Sequence, residues 1–251
     1  MAGSEAVPPR HEPRRARDHL IVALDVPKIE LADSLVRQLD ADVSLYKIGG
    51  HLLFANGLVE FIERMVGEGK RIFLDLKSVD IGETMRGVAS RVTSLGVEFL
   101  TVMGTGATIS AAIEGRGGRQ FPRILVVTLL TDHSQEDMRR EYGTDMSVEE
   151  FAADRARYAR QHNADGVISS PLEVSAIRKA TRPDFIIVTP GIRPLGVSAN
   201  DQKRIATPAT AIMAGSDYLV VGRPIVKAAD ARSAACRILD EIQTAIEQSG
   251  V

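Results

Sequence analysis

From His19 onward, eight short apolar runs alternate with longer segments of helical spacing, and this alternation constrains the fold more than any other feature. The runs are HLIVALD, DVSLYKI, KRIFLDLK, VEFLTVM, PRILVVTLL, ADGVISS, DFIIVTP and SDYLVVG. Between them, GLVEFIERMVGEG and SVEEFAADRARYARQHN place apolar residues three and four apart, as helices covering a sheet do. Near-continuous apolar strands suit a parallel sheet buried on both faces. Eight strand–helix units predict an α/β protein with a single (β/α)8 TIM barrel; an open doubly wound sheet is the other architecture the pattern allows. A chain of 251 residues fits one such barrel. Since no low-complexity linker interrupts the chain after residue 18, the barrel domain is expected over 19–251. Residues 1–18 carry three prolines and four arginines but no apolar run of signal-peptide length, and read as a disordered leader.

Composition narrows the partners. No Trp is present and aromatics are 4%, which argues against stacking platforms for single-stranded nucleic acid. A formal net charge of −2 provides no general attraction to phosphate backbones or anionic lipid, so any basic site must be local. The leader arginines are read as a solvated tail, with a nucleic-acid arm as the sharper alternative. No stretch reaches the ~20 apolar residues that span a bilayer. Neither nucleic acid nor membrane is therefore an expected partner. The single cysteine, Cys236, forms no intrachain disulfide, and a cytoplasmic location fits. Within SAACRILDEI it reads as a small buried hydrophobe on an amphipathic helix.

Strand parity turns IFLDLKSVDIG, residues 72–82, into geometry. Alternate residues share a face, so Phe73, Asp75 and Lys77 point together while Ile72, Leu74 and Leu76 point to the other side. The aliphatic set suits the helix layer, which leaves the charges facing the barrel interior near the C-terminal mouth, where barrel enzymes build their sites. The same parity turns Ile21, Ala23 and Asp25 inward on the first run, and Val43, Leu45 and Lys47 inward on the second. Asp25, Lys47, Asp75 and Lys77 are thus expected on one rim, with Asp80 just beyond.

Such a cluster has several readings. A salt-bridge lattice is the bland one, but buried ion pairs are weak sources of stability. A divalent metal is disfavoured because interleaved ammonium groups repel it, and His11, His19, His51, His133 and His162 show no ligand spacing. His51 and His162 read as helix-surface residues. A Schiff-base lysine needs a lowered pKa, whereas Asp75 and Asp80 favour the ammonium form of Lys77. Lys77 therefore reads as a proton donor in a reaction that places negative charge on carbon and then quenches it.

A second region completes the site. TPGIRPLGVSANDQKRIATP after the seventh run and VVGRPI after the eighth occupy the loops that often hold phosphate in barrels. Gly191 and Gly222 permit close backbone approach, Arg193 and Arg223 supply guanidinium forks, and Gln202 adds a donor. The bland reading is two turns with solvated arginines; their position after consecutive strands points instead to a small phosphorylated substrate. Contacts at the phosphate would then hold the reacting centre in place.

The run DLKSVDI, together with ALDVP, YKIG, TPGIRP, DQKR and VVGRPI, resembles the orotidine 5′-monophosphate decarboxylase family over nearly the whole chain from residue 19. The resemblance implies loss of CO2 from orotidine 5′-monophosphate to give UMP in pyrimidine biosynthesis, without a cofactor or metal, through a C6 vinyl carbanion protonated by Lys77. It makes Lys47, Asp75 and Lys77 three members of a catalytic Lys-Asp-Lys-Asp array. Asp80 is the fourth, reaching into the partner subunit's site in a homodimer. It assigns Asp25 to the ribose, Thr84 to a substrate contact across the dimer, and Thr131, with Ser134 competing, to the pyrimidine or ribose. Arg193, Gln202, Gly222 and Arg223 take the phosphate, and the 191–203 loop closes over it. Two positions depart from the family pattern: Gly82 stands where many relatives have Pro, and Met103 where His is common. The alternatives are a metal-dependent sugar-phosphate decarboxylase or aldolase of the same suprafamily, and a non-catalytic phosphometabolite-binding protein.

Overall fold

The computed structural model describes residues 15–131, 133–194 and 204–249. Its strands are β1 (Leu20–Ala23), β2 (Leu45–Gly49), β3 (Arg71–Ser78), β4 (Phe99–Val102), β5 (Arg123–Val127), β6 (Gly166–Ile168), β7 (Ile186–Thr189) and β8 (Tyr218–Val221). Each lies within its expected run or one residue beyond it. They pair in parallel in sequence order, and β8 returns to β1 to close the barrel. This is the eight-stranded TIM barrel and not the open sheet.

Alternation along the strands divides the apolar residues between two cores. Ile21, Leu45, Phe73, Phe99, Tyr218 and Val220 fill the barrel interior. Leu20, Val22, Tyr46, Ile48, Ile72 and Leu74 face outward beneath the helices. Inside, Phe73 meets Phe99 edge-on at 5.9 Å and Phe99 meets Tyr218 at 5.1 Å, which plugs the interior below the mouth. Parity fails at one residue: Val43, expected inward, packs in the outer core. It follows the 3-10 turn Asp40–Asp42 and precedes β2, whose ladder with β3 starts only at Leu45, so strand alternation does not extend back to it.

Residues 1–14 of the expected leader lie outside the described residues. Ala16–His19 is a helical turn with Ala16 in the outer core, so this part of the expected leader joins the fold. At the N-terminal end of the barrel, carboxylates tie strands to helices. Asp165 Oδ2 accepts from the Ile124 amide at 2.7 Å and from Arg116 at 2.7 Å. Asp217 Oδ2 accepts from the Ile187 amide at 2.8 Å and from Arg178 at 2.6 Å. With that end locked, the C-terminal rim is left to the loops. Among the described residues, no helix is long and apolar enough to cross a membrane.

Candidate active site

Asp75 is the centre of the rim. It is 9% exposed, and its carboxylate oxygens face two ammonium groups and a hydroxyl. Oδ2 accepts from Lys77 Nζ at 2.7 Å and lies 3.3 Å from Lys47 Nζ; Oδ1 accepts from the Thr101 hydroxyl at 2.7 Å. Lys47 also reaches Asp25 Oδ1, at 3.2 Å. Burial pushes the Asp75 carboxyl upward, but attraction to Lys47 and Lys77 and hydrogen bonds from Lys77 and Thr101 outweigh it and hold the group below its usual range. It is an anion kept in place by two cations.

The strands deliver these groups in different ways. Lys47 lies within β2, and Asp25 two residues past the end of β1. Gly49 pairs with Asp75 across the β2–β3 ladder. A Cβ on Gly49 would stand 3.1 Å from the Asp75 carbonyl oxygen and 3.2 Å from Lys47 Nζ, so a hydrogen there lets the acid and the ammonium approach. Lys77 departs from regular strand geometry: its φ is +49°, and the β3–β4 register shifts between Leu74 and Ser78. A bulge with a left-handed, non-glycine residue re-aims a side chain at the cost of local strain. Parity anticipated the side to which Lys77 points but not this backbone path.

A cavity of about 250 Å³ opens here. Asp25, Lys47, Asp75 and Lys77 line one side of it. Gly191, Arg193, Gly222 and Arg223 line another, so both expected regions share one space. Gly191 has φ +80°, a conformation open to glycine, where the chain turns out of β7. Arg193 is 4% exposed; its amide donates to the Ala206 carbonyl at 2.9 Å. Gly222 caps the short helix Arg223–Val226. Val127, Leu129, Leu130 and Ile168 provide an apolar wall. Gln202, most of the DQKR run and residues 195–203 of the 191–203 loop lie outside the described residues.

The two candidates for the pyrimidine end separate. Thr131 lines the cavity. Ser134 instead caps the helix Gln135–Tyr142, exchanging hydrogen bonds with Asp137, and does not line it. Asp80 and Thr84 are exposed and do not line the cavity within one chain. Asp80 Oδ1 accepts from the Ile81 amide at 2.7 Å, and its carbonyl from Thr108. Thr84 lies on the helix Gly82–Ser94. Among the described residues, no three His, Cys, Asp or Glu side chains gather as a metal cage. His51 is exposed and His162 is half-buried at a helix end.

Thr101 escaped the reading of the sequence. It is fully buried on β4. The signal was present in VEFLTVM, where alternation sets Thr101 on the inner face as a hydroxyl among apolar residues.

Three comparisons bear on this geometry. A family model described as "Orotidine 5'-phosphate decarboxylase / HUMPS family" matches residues 18–238. Orotidine 5'-phosphate decarboxylase of Bradyrhizobium diazoefficiens is 45% identical over 93% of this chain and 95% of its own length. That of Rhodopseudomonas palustris strain BisA53 is 46% identical over 92% and 97%. The crystal structure of orotidine 5'-phosphate decarboxylase from Lactobacillus acidophilus superposes with a TM-score of 0.77 at 36% identity, covering 89% of this chain and 98% of that one.

Proposed function

The chain belongs to the orotidine 5'-phosphate decarboxylase / HUMPS family, and from that premise we infer that it decarboxylates orotidine 5'-monophosphate to UMP, a step of pyrimidine biosynthesis, at the charged mouth of its barrel. The observation that carries the reading is one buried carboxylate, Asp75, held between two ammonium groups in a cavity that also has arginine-bearing loops on its wall.

The phosphate is held by Arg193, Arg223 and the Gly222 backbone, with Gln202 added from the loop, and these contacts anchor the nucleotide. Asp25 binds the ribose, and Thr131 lies at the pyrimidine. The C6–carboxylate bond then breaks, CO2 leaves, and the electron pair stays on C6. Lys77 and Lys47 stabilise that charge because their ammonium groups are already oriented by Asp75, so no reorganisation accompanies its appearance. Lys77 transfers a proton from Nζ to C6, giving UMP, and regains one from solvent. No residue in this scheme requires a cofactor. The lone cysteine supports a cytosolic setting.

The direct test follows CO2 release and UMP formation from orotidine 5'-monophosphate in excess chelator. Turnover should persist; no turnover of this nucleotide, with chelator-sensitive turnover of a sugar phosphate instead, would favour a metal-dependent sugar-phosphate enzyme of the same suprafamily. Lys77→Ala should lower kcat about a thousandfold or more while leaving UMP binding measurable. Unchanged turnover would remove Lys77 from the chemistry.

Asp80 and Thr84 complete the centre of a second subunit in a homodimer. Their exposure, and their absence from the cavity of their own chain, support this. Mixing Asp80→Asn with Lys77→Ala subunits should restore activity, since one hybrid centre then contains both native residues. If subunits exchange and activity does not return, the shared centre is wrong.

A further inference from the structure

Glu173 is a carboxylate that the mechanism leaves unused. It lies between β6 and the helix Val174–Ala180, is 2% exposed, and does not line the cavity. A carboxylate so deeply buried needs a cation, and its partner is Arg204, whose side chain is 15% exposed. The pair joins the corner after β6 to the return segment after β7. As a source of stability such a pair is poor, because the desolvation of both charges offsets much of their attraction. What it does provide is a fixed position for Arg204.

That position is transmitted to the cavity over a short path. Two residues after Arg204, Ala206 forms a parallel bridge with Ile192. The Ala206 carbonyl accepts from the Arg193 amide at 2.9 Å, and the Ala206 amide donates to the Gly191 carbonyl at 3.4 Å. Gly191 and Arg193 are wall residues, on the loop assigned to phosphate. Arg204 is therefore held at one end by Glu173, and the backbone beyond it holds the wall at the other.

We propose that Glu173 is a positioning residue for the phosphate end of the site: through Arg204 and the Ala206 bridge it holds the Gly191–Arg193 backbone in the geometry that receives the phosphate monoester of the nucleotide. This rests on the decarboxylase reading above. A structural role alone would impair every substrate alike, whereas a role at the phosphate impairs only substrates that carry one.

The test compares orotidine 5'-monophosphate with orotidine, which lacks the phosphate, in wild type and Glu173→Gln. For the phosphorylated substrate, KM should rise about tenfold or more with kcat within about threefold, and kcat/KM for orotidine should stay within about twofold of wild type. Glu173→Asp, which retains the charge, should recover part of the affinity. Equal losses on both substrates, or no loss on either, would overturn the proposal. If Glu173→Gln does not fold, Arg204→Gln is read with the same two substrates and the same criteria. A wild-type protein inactive on orotidine 5'-monophosphate would remove the parent reading, while an active wild type with an unaltered Glu173→Gln variant removes only this one.

Discussion

Asp75 shows how a single side chain can be both buried and ionised. Its oxygens face Lys77, Lys47 and Thr101, and the cations outweigh the burial. Because its carboxyl is held low in the folded protein, the unfolded chain binds the proton more tightly. The stability this provides is complete above the unfolded value of about 3.9 and is lost as pH falls through the lower folded value. Urea titrations should therefore show wild type losing unfolding free energy more steeply than Asp75→Asn as pH is lowered below about 4. Parallel losses would mean that burial cancels the ammonium attraction, and a shallower loss in wild type that burial dominates the site. The identity of Asp75 and its two lysines was legible from residue type and strand parity. The hydroxyl that orients it was not singled out, because a threonine in a strand is ordinarily unremarkable.

At the scale of the element, β3 combines a regular strand with a bulge at its end. Residues Ile72 to Asp75 alternate as expected between the outer core and the interior. Beyond them Lys77 adopts φ +49°, where an L side chain is strained. In an ordinary strand glycine is less stable than alanine by about 0.5–1 kcal/mol; here the order should reverse. Lys77→Gly is expected to be more stable than Lys77→Ala by about 1 kcal/mol, with both inactive, as judged by thermal melts and turnover. An alanine variant as stable as the glycine one would show that the bulge relaxes when the lysine is removed. Nothing in DLKSV marks this bulge in advance, since the register shift is set against β4 and not within β3. Val43 teaches the reverse lesson: alternation begins where the ladder begins, and a run of apolar residues does not mark that point.

For the whole molecule, the two ends of the barrel have different duties. The cavity and its charges occupy the C-terminal mouth, while Asp165 and Asp217 fasten strands and helices at the other end. Asp217, which leads into β8, joins β7 and Arg178 through one carboxylate oxygen, and its carbonyl meets His19 Nδ1 at 2.8 Å. Asp217→Ala should cost about 2 kcal/mol, reduced from the value of a fully buried pair by partial exposure, and the folded enzyme should keep its kcat. A loss of kcat without a loss of stability would mean that the two ends are coupled. Eight apolar runs with helical intervals sufficed to place the strands, because period and burial are local consequences of side-chain type, while the choice of a closed barrel over an open sheet was made by the pairing of β8 with β1. Residue chemistry likewise marked Asp25, Lys47, Asp75 and Lys77 and the arginine-bearing loops. Only the tertiary structure decided that both groups line one cavity, that Thr101 donates to Asp75, that Ser134 is spent on a helix cap, and that Glu173 meets Arg204. These depend on distances between segments far apart in the chain, which closure of the barrel sets and no local pattern encodes.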